Sequence, residues 1–181
     1  MEHASNPGIY RPGLDETQER DKNLIAQHLS AAYTLARWIL RNDAEAEDAV
    51  QEAYLRAFRH FDTYRGGNDK AWLLRIVRNS CYDRLRQSAG CTHVEYNEET
   101  PLFNRNTLNP ESWLLQREQT TKVRRAVEAL PSHKREILIF REFELMSYAQ
   151  IAATVGIPIG TVMSRLSRAR EQLRRGFLAA G

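Results

Sequence analysis

The pattern between Ser147 and Arg175 constrains the fold more than any other part of the chain. Ser147 and Gln150 have the spacing of a capping box, in which the two side chains cap the backbone where a helix begins. The short helix that they start should end at Gly156, because the turn needs a residue that tolerates positive φ, and Pro158 can start the next helix. These signals predict a helix-turn-helix.

The second helix of this motif has an apolar side and a polar side. At about 100° per residue, the apolar side consists of Ile159, Val162, Leu166, Ala169 and Leu173. The opposite side is small near the start and basic later, and it consists of Gly160, Ser164, Ser167, Arg168, Glu171 and Arg175. Small residues allow close approach to a DNA groove, whereas Ser and Arg reach base edges and phosphates. An ordinary amphipathic surface helix is the alternative, and the capping box and the glycine together favour DNA binding.

Positive charge is concentrated in the same part of the chain. The 181 residues have 26 basic and 23 acidic side chains, a net charge of +3. Residues 112–181 alone have twelve basic and six acidic side chains. A basic segment of this kind suits nucleic-acid binding, although a solvated basic surface would show the same charge.

The rest of the chain also has helical periodicity, with no convincing strand pair and no internal repeat. Helices are predicted from Leu24 to Leu40, from an N-cap at Asp43 to Phe61, and from a cap at Asp69 to Gln87. Further helices are predicted from Asn109-Pro110 to Leu130-Pro131 and over about 133–143, 147–155 and 159–177. The expected fold is all-α, with two small helical domains over 23–88 and 110–181. Residues 1–22 are expected to be a flexible arm and residues 89–109 a flexible linker.

The predicted helix after Asp43 has two opposed stripes. Its core side consists of Val50, Tyr54, Ala57 and Phe61. Another stripe consists of Asp48, Glu52, Leu55 and Arg59, with Gln51 beside it. An apolar Leu55 among charges suggests a protein contact, because interface centres are often apolar. A solvated face with one exposed leucine is equally consistent with this pattern.

The helix predicted from Asp69 to Gln87 also has a core side and a second, polar side. Its core side consists of Trp72, Leu73, Ile76, Val77 and Ser80. Its other side consists of Arg75, Arg78, Asn79, Tyr82 and Arg86. Arginines for phosphates, an amide for base edges and an aromatic ring for stacking form a workable surface for single-stranded DNA. A plain surface helix is the alternative interpretation.

Signals for catalysis, metals and membranes are absent from the sequence. There is no phosphate-binding glycine loop, no paired-histidine zinc motif and no nucleophile elbow, and the five histidines are scattered. The two cysteines, Cys81 and Cys91, are too few for a disulfide framework, and no signal peptide or membrane span is evident. We expect a cytoplasmic protein that is not an enzyme and needs no metal or cofactor.

Two segments resemble the extracytoplasmic-function (group 4) sigma factors of the sigma-70 family. The first begins Asp43-Ala-Glu-Ala-Glu-Asp-Ala-Val-Gln-Glu-Ala and continues through Ala71-Trp-Leu-Leu-Arg-Ile-Val-Arg-Asn79, and it resembles region 2. The second contains Leu130-Pro131, Arg135-Glu136 and Ser147-Tyr-Ala-Gln-Ile-Ala152, followed by Gly160-Thr-Val-Met-Ser-Arg-Leu166, and it resembles region 4. Both occur in the family's order and spacing, and the chain has no room for the third domain of housekeeping factors.

The resemblance implies partners for each stripe. It implies that the β′ clamp helices of core RNA polymerase contact Asp48, Gln51, Glu52 and Leu55. It implies that the non-template strand of the promoter −10 element contacts Tyr64, Arg65, Asn68, Arg75, Arg78, Asn79 and Tyr82. It implies that the −35 duplex contacts Thr161, Ser164, Arg165, Ser167 and Arg168, while the same region docks on the polymerase β flap. An anti-sigma factor, often membrane-bound in this family, would cover these surfaces.

The chain departs from the family pattern at one position, and two other functions stay open as alternatives. Many relatives have a basic residue where this chain has Met163, which cannot donate a hydrogen bond to guanine or phosphate, so the −35 preference is open at that position. A stand-alone helix-turn-helix regulator would explain residues 130–175 but leave the first domain without a role. If the chain is instead an adaptor protein that binds no DNA, changing Arg168 alters no DNA affinity, because there is none to lose.

Overall fold

The computed structural model describes residue 23, residues 25–88 and residues 120–179, and within these ranges all regular structure is helical. The helices are α1 (Leu29–Leu40), α2 (Asp43–Arg59), α3 (Asp69–Ser88), α4 (120–128), α5 (Ser132–Glu142), α6 (Tyr148–Val155) and α7 (Ile159–Ala179), with a 3-10 turn at Phe61–Thr63. This confirms the all-α fold class. The predicted arm at 1–22, the predicted linker at 89–109 and the predicted helix start at Asn109-Pro110 lie outside the described residues.

The N-caps of α2 and α3 lie one residue before the predicted positions. The side chain of Asn42 accepts a hydrogen bond from the backbone N–H of Glu45 at 3.0 Å, and that of Asn68 accepts one from Ala71 at 2.9 Å. The prediction of Asp43 and Asp69 as caps was therefore wrong by one residue. Asn and Asp are equally good caps, so adjacent candidates cannot be separated by residue type. Asp43 instead pairs with Arg37 and places a negative charge in the first turn of α2, where it suits the helix dipole.

Helices α1–α3 pack around one apolar core. Leu35, Ala53, Leu73 and Val77 are fully buried in it. Alanines at 46, 49, 53 and 57 line one side of α2, and small side chains let helices approach closely. The predicted core faces hold in part, because Val50, Ala57 and Ser80 are buried, whereas Tyr54, Phe61, Trp72 and Ile76 are half-buried.

The buried side chains of helices α4–α7 continue the same apolar core. Ile137, Phe140, Ile151, Val162 and Leu166 are buried there at 2% exposure or less. Helix α6 meets α7 through the turn at Gly156, as the helix-turn-helix pattern predicts. The core of this group lies between α5, α6 and α7, which leaves one side of α7 exposed.

The two helical groups contact each other directly. The guanidinium of Arg135 in α5 is 5% exposed and donates hydrogen bonds to the carbonyls of Trp38 in α1 at 2.6 Å and of Leu130 at 2.8 Å. The rings of Trp38 and Phe143 are 5.9 Å apart, and Lys70 in α3 pairs with Glu144 at 2.7 Å. This contact face matters for function because it covers part of α3.

Candidate nucleic-acid and protein interfaces

The helix-turn-helix is capped as the sequence predicts. The hydroxyl of Ser147 accepts a hydrogen bond from the N–H of Gln150 at 3.2 Å, and the N–H of Ser147 donates to Gln150 Oε1 at 2.7 Å. Gly156 has φ of +76°, which is the left-handed conformation that ends α6. Arg141 donates to the carbonyl of Met146 at 2.9 Å and stacks over the ring of Tyr148. These contacts fix the residues at which α6 begins and ends, and they hold its first turn against α5.

The exposed side of α7 contains most of the residues predicted to read the −35 duplex. Ser164, Ser167 and Arg168 are exposed, and Thr161 and Arg165 are half-buried. Val162, Leu166 and Ala169 are buried on the other side. The prediction that Ile159 lies on the apolar, core-facing side was wrong, since it is 47% exposed in the first turn of α7, ahead of the residues that reach the core.

Gly160 has no packing reason to be glycine. It lies in the first turn of α7 without a positive φ, and a Cβ placed there meets nothing within 4 Å. Glycine inside a helix costs about 0.5–1 kcal/mol relative to alanine. The fold therefore does not explain this residue, and close approach of a partner at the start of α7 would.

The arginines of α7 fall into two groups. Arg170 pairs with Glu142 at 2.6 Å, and Glu171 pairs with Arg174 at 2.6 Å and with Arg175 at 3.0 Å. The hydrogen bond from Arg175 and the positive charge of Arg174 lower the pKa of the Glu171 carboxyl. Among the described residues, Arg165 and Arg168 have no carboxylate within ion-pair distance, so their charges remain available to an anionic partner.

The stripe predicted to contact polymerase lies on the open side of α2. Asp48, Gln51 and Leu55 are exposed, Leu55 by 57%, and Glu52 is half-buried. Phe58, which was not predicted, is 42% exposed three residues after Leu55, on the same side of the helix. The apolar centre of this face thus consists of two side chains. Phe58 could have been found from the sequence, because it is a large apolar residue off the core period of α2.

Arg84 of α3 and Arg56 of α2 hold the carboxylates of this stripe in place. Arg84 lies 3.0 Å from Glu45, 3.5 Å from Asp48 and 3.9 Å from Glu52. Arg56 bridges Glu52 and Asp83, and hydrogen bonds from Arg56 and Arg86 lower the pKa of the Asp83 carboxyl. Partly exposed pairs of this kind contribute little stability, so their main effect is to orient the acids.

The loop before α3 is built on three aromatic rings. Tyr64 packs against Phe61 and Trp72 with centroids 5.6 and 5.2 Å apart, and its hydroxyl donates to the carbonyl of Gly67 at 3.2 Å. Gly66 and Gly67 have φ of +81° and +102°, which favours glycine at both positions. Asn68 caps α3, so a structural role accounts for its side-chain oxygen, whereas Arg65 is exposed.

The residues predicted to hold the −10 strand on α3 are divided by the second helical group. Arg75 and Asn79 are exposed. Arg78 stacks over Tyr82 at 4.6 Å and forms two hydrogen bonds to Glu136 of α5, at 2.7 and 3.2 Å. Glu136 is 1% exposed, and burial followed by the charge of Glu136 raises the pKa of Tyr82 to about 12. Glu136 therefore occupies the position at which Arg78 would meet a phosphate.

Metal-binding clusters and membrane-spanning helices are not found in the described part of the chain. No group of three or more His, Cys, Asp or Glu residues there could hold a metal ion. None of the helices over 25–88 and 120–179 combines the length and the apolar character that crossing a bilayer requires.

Comparison with known families identifies both helical groups. Residues 24–90 match the sigma-70 region 2 family, and residues 120–173 match the sigma-70 region 4 family. Among solved structures, the sigma factor RpoE of Bartonella quintana, in complex with the anti-sigma factor NepR, is similar with a TM-score of 0.69 and 28% identity, over 88% of this chain and 95% of that chain. CnrH, in complex with the cytosolic domain of CnrY, has the same fold at a TM-score of 0.66 and 23% identity, over 91% of each chain.

Curated relatives agree with the family matches. The ECF RNA polymerase sigma factor SigE of Mycolicibacterium smegmatis is 32% identical over 83% of this chain, which spans only 59% of that relative's length. The ECF RNA polymerase sigma-E factor of Escherichia coli K12 is 34% identical over 81% of this chain and 80% of its own length. SigM of Mycobacterium tuberculosis is 33% identical over 87% of this chain and 78% of its own length. The chain belongs to the ECF sigma factors of the sigma-70 family.

Proposed function

We propose that this chain binds core RNA polymerase and directs it to promoters, without catalysing a reaction of its own. In this proposal residues 23–88 bind polymerase and the −10 strand, and residues 110–181 bind the −35 duplex. The observation that carries it is the presence in one chain of two separate faces suited to nucleic acid and one acidic face with an apolar centre. A stand-alone helix-turn-helix regulator leaves the faces of α2 and α3 without a role.

The face of α2 supports the polymerase contact. Leu55 and Phe58 are exposed at its centre, and Asp48 and Glu52 are oriented beside them by Arg84. Apolar centres surrounded by charges are typical of protein interfaces. We propose that the β′ clamp helices bind here and that the −35-binding group also reaches the β flap.

A pair of matched variants tests this contact. Leu55→Arg places a charge at the centre of the proposed interface and should weaken binding of core polymerase by tenfold or more, as for an interface residue that contributes about 1.4 kcal/mol or more. Leu29→Arg is the control, because Leu29 is 51% exposed on α1, away from the stripe. Equal affinity of both variants for core polymerase would contradict the assignment of this face.

Binding of the −10 strand requires the two helical groups to separate. Arg75, Asn79 and Arg65 are already exposed, but Arg78 and Tyr82 are covered by α5. A flipped base would gain stacking and phosphate contacts on this surface, which would offset the cost of unstacking it. We therefore expect polymerase and promoter together to displace α5 from α3.

A partner that stabilises the packed arrangement would inhibit this function. The similar sigma factor of Bartonella quintana is in complex with an anti-sigma factor. We propose that this chain also has an anti-sigma partner, which hides Arg78 and Tyr82 by holding α5 against α3. The site of action would be the cytoplasm, where the chromosome and polymerase are.

A further inference from the structure

We propose that Met163 contacts the C5 methyl group of a thymine in the −35 element and thereby makes the factor prefer thymine at that position. This inference rests on the proposed function and specifies its DNA preference. It concerns one residue of the exposed side of α7.

The fold leaves Met163 and Ile159 exposed next to each other. Met163 is 53% exposed and Ile159, one turn earlier, is 47% exposed. Val162 and Leu166 supply the packing of this part of α7 and are buried. The first two turns of the helix therefore present an apolar surface that the core does not use.

The surroundings of this surface indicate that its partner is DNA. Met163 lines one groove with Ser167, Arg170 and Arg174 of the same helix, so polar and basic side chains border the apolar surface. Gly160 leaves room for close approach to the start of α7. The first turns of a recognition helix are the part that meets base edges in the major groove.

The arginines next to Met163 are already paired within the protein, Arg170 with Glu142 and Arg174 with Glu171. Gly160 has no side chain, and the hydroxyl of Ser164 donates its hydrogen to the carbonyl of Thr161 at 3.1 Å. Met163 itself cannot donate a hydrogen bond. The only apolar group that base pairs display in the major groove is the thymine methyl. A guanine or cytosine edge against Met163 would lose water without gaining a partner, so thymine is favoured.

Removing only that methyl group tests the proposal. Full-length protein with core polymerase would first select −35 sequences from a randomised promoter library. Each thymine of the selected element would then be replaced by deoxyuridine, which lacks the methyl group and keeps the hydrogen-bonding edge. At one position the replacement should weaken promoter binding about fourfold, the factor that corresponds to burying one methyl-sized group.

Two variants assign the effect to Met163. Met163→Ala should lose the sensitivity to deoxyuridine, and Met163→Leu, which stays apolar, should keep it. Selection of no thymine, or equal deoxyuridine sensitivity in the wild type and in Met163→Ala, would overturn the inference. If the wild type shows no sequence-dependent promoter binding with polymerase, the proposed function fails. If binding is specific and weakened by Arg168→Ala but insensitive to the methyl group, only the inference about Met163 fails.

Discussion

Replacing Gly160 with alanine should raise the stability of the fold and lower promoter affinity at the same time. The added Cβ meets nothing within 4 Å, so the folded chain gains helix propensity without a clash. The gain should be about 0.5–1 kcal/mol. For a chain of this size, that corresponds to a rise in melting temperature of about 2–4 °C per kcal/mol. If the start of α7 approaches DNA closely, the new methyl group overpacks that contact, which costs about 1–3 kcal/mol, or about fivefold or more in affinity.

Gly176 provides the matched control. It lies near the other end of α7, is exposed, and a Cβ there also meets nothing within 4 Å. Gly176→Ala should therefore stabilise the protein comparably and leave promoter binding unchanged. Urea unfolding measures the first quantity, and fluorescence anisotropy of labelled promoter DNA with reconstituted polymerase measures the second. Unchanged promoter affinity in Gly160→Ala would refute the idea that this glycine exists for close approach to DNA.

Three further changes have expected outcomes. Glu136→Gln removes the charge that faces Arg78 in a buried contact. It should lower the free energy of unfolding by on the order of 3 kcal/mol, the cost of breaking a buried pair, and an unchanged free energy of unfolding in urea would contradict this. Burial raises the pKa of the Cys81 thiol from 9.0 to about 12. The contribution of the protonated thiol to stability should therefore be complete below pH 9 and lost as the pH rises towards about 12, at up to about 1.4 kcal/mol per pH unit. In urea unfolding, the free energy of unfolding of Cys81→Ala should fall less steeply at alkaline pH than that of the wild type. Leu145 is 79% exposed with φ of +55°. Leu145→Gly should relieve left-handed strain and stabilise by about 0.5–1 kcal/mol in thermal unfolding, and a lower melting temperature would refute that reasoning.

Local signals predicted most of the helices and the helix-turn-helix. The capping box at Ser147 and Gln150 and the turn at Gly156 depend only on neighbouring residues, so their geometry followed from spacing. The predictions were wrong where two adjacent residues could cap a helix equally well, as at Asn42 and Asp43. They were also wrong at a helix end, where Ile159 follows the apolar period but lies beyond the core.

The contact between the two helical groups could not be predicted in this way. Arg135 and Glu136 are charged residues near the start of an amphipathic helix, and nothing in their spacing shows that both are buried. Their burial depends on partners far away in the sequence, the carbonyl of Trp38 and the guanidinium of Arg78. Burying charge is costly unless it is paired, and the pairing is visible only in three dimensions.

Run-off transcription with core RNA polymerase distinguishes a sigma factor from a stand-alone regulator. Fragmented genomic DNA from the host is transcribed with core polymerase alone, with added wild-type protein, and with the Leu55→Arg variant. We expect discrete transcripts that need the wild-type protein and that disappear with Leu55→Arg. Suppose that the protein binds DNA by itself but that adding it to polymerase, in a preparation free of inhibitor, gives no new transcript. This result would contradict the sigma-factor assignment and favour a stand-alone helix-turn-helix regulator.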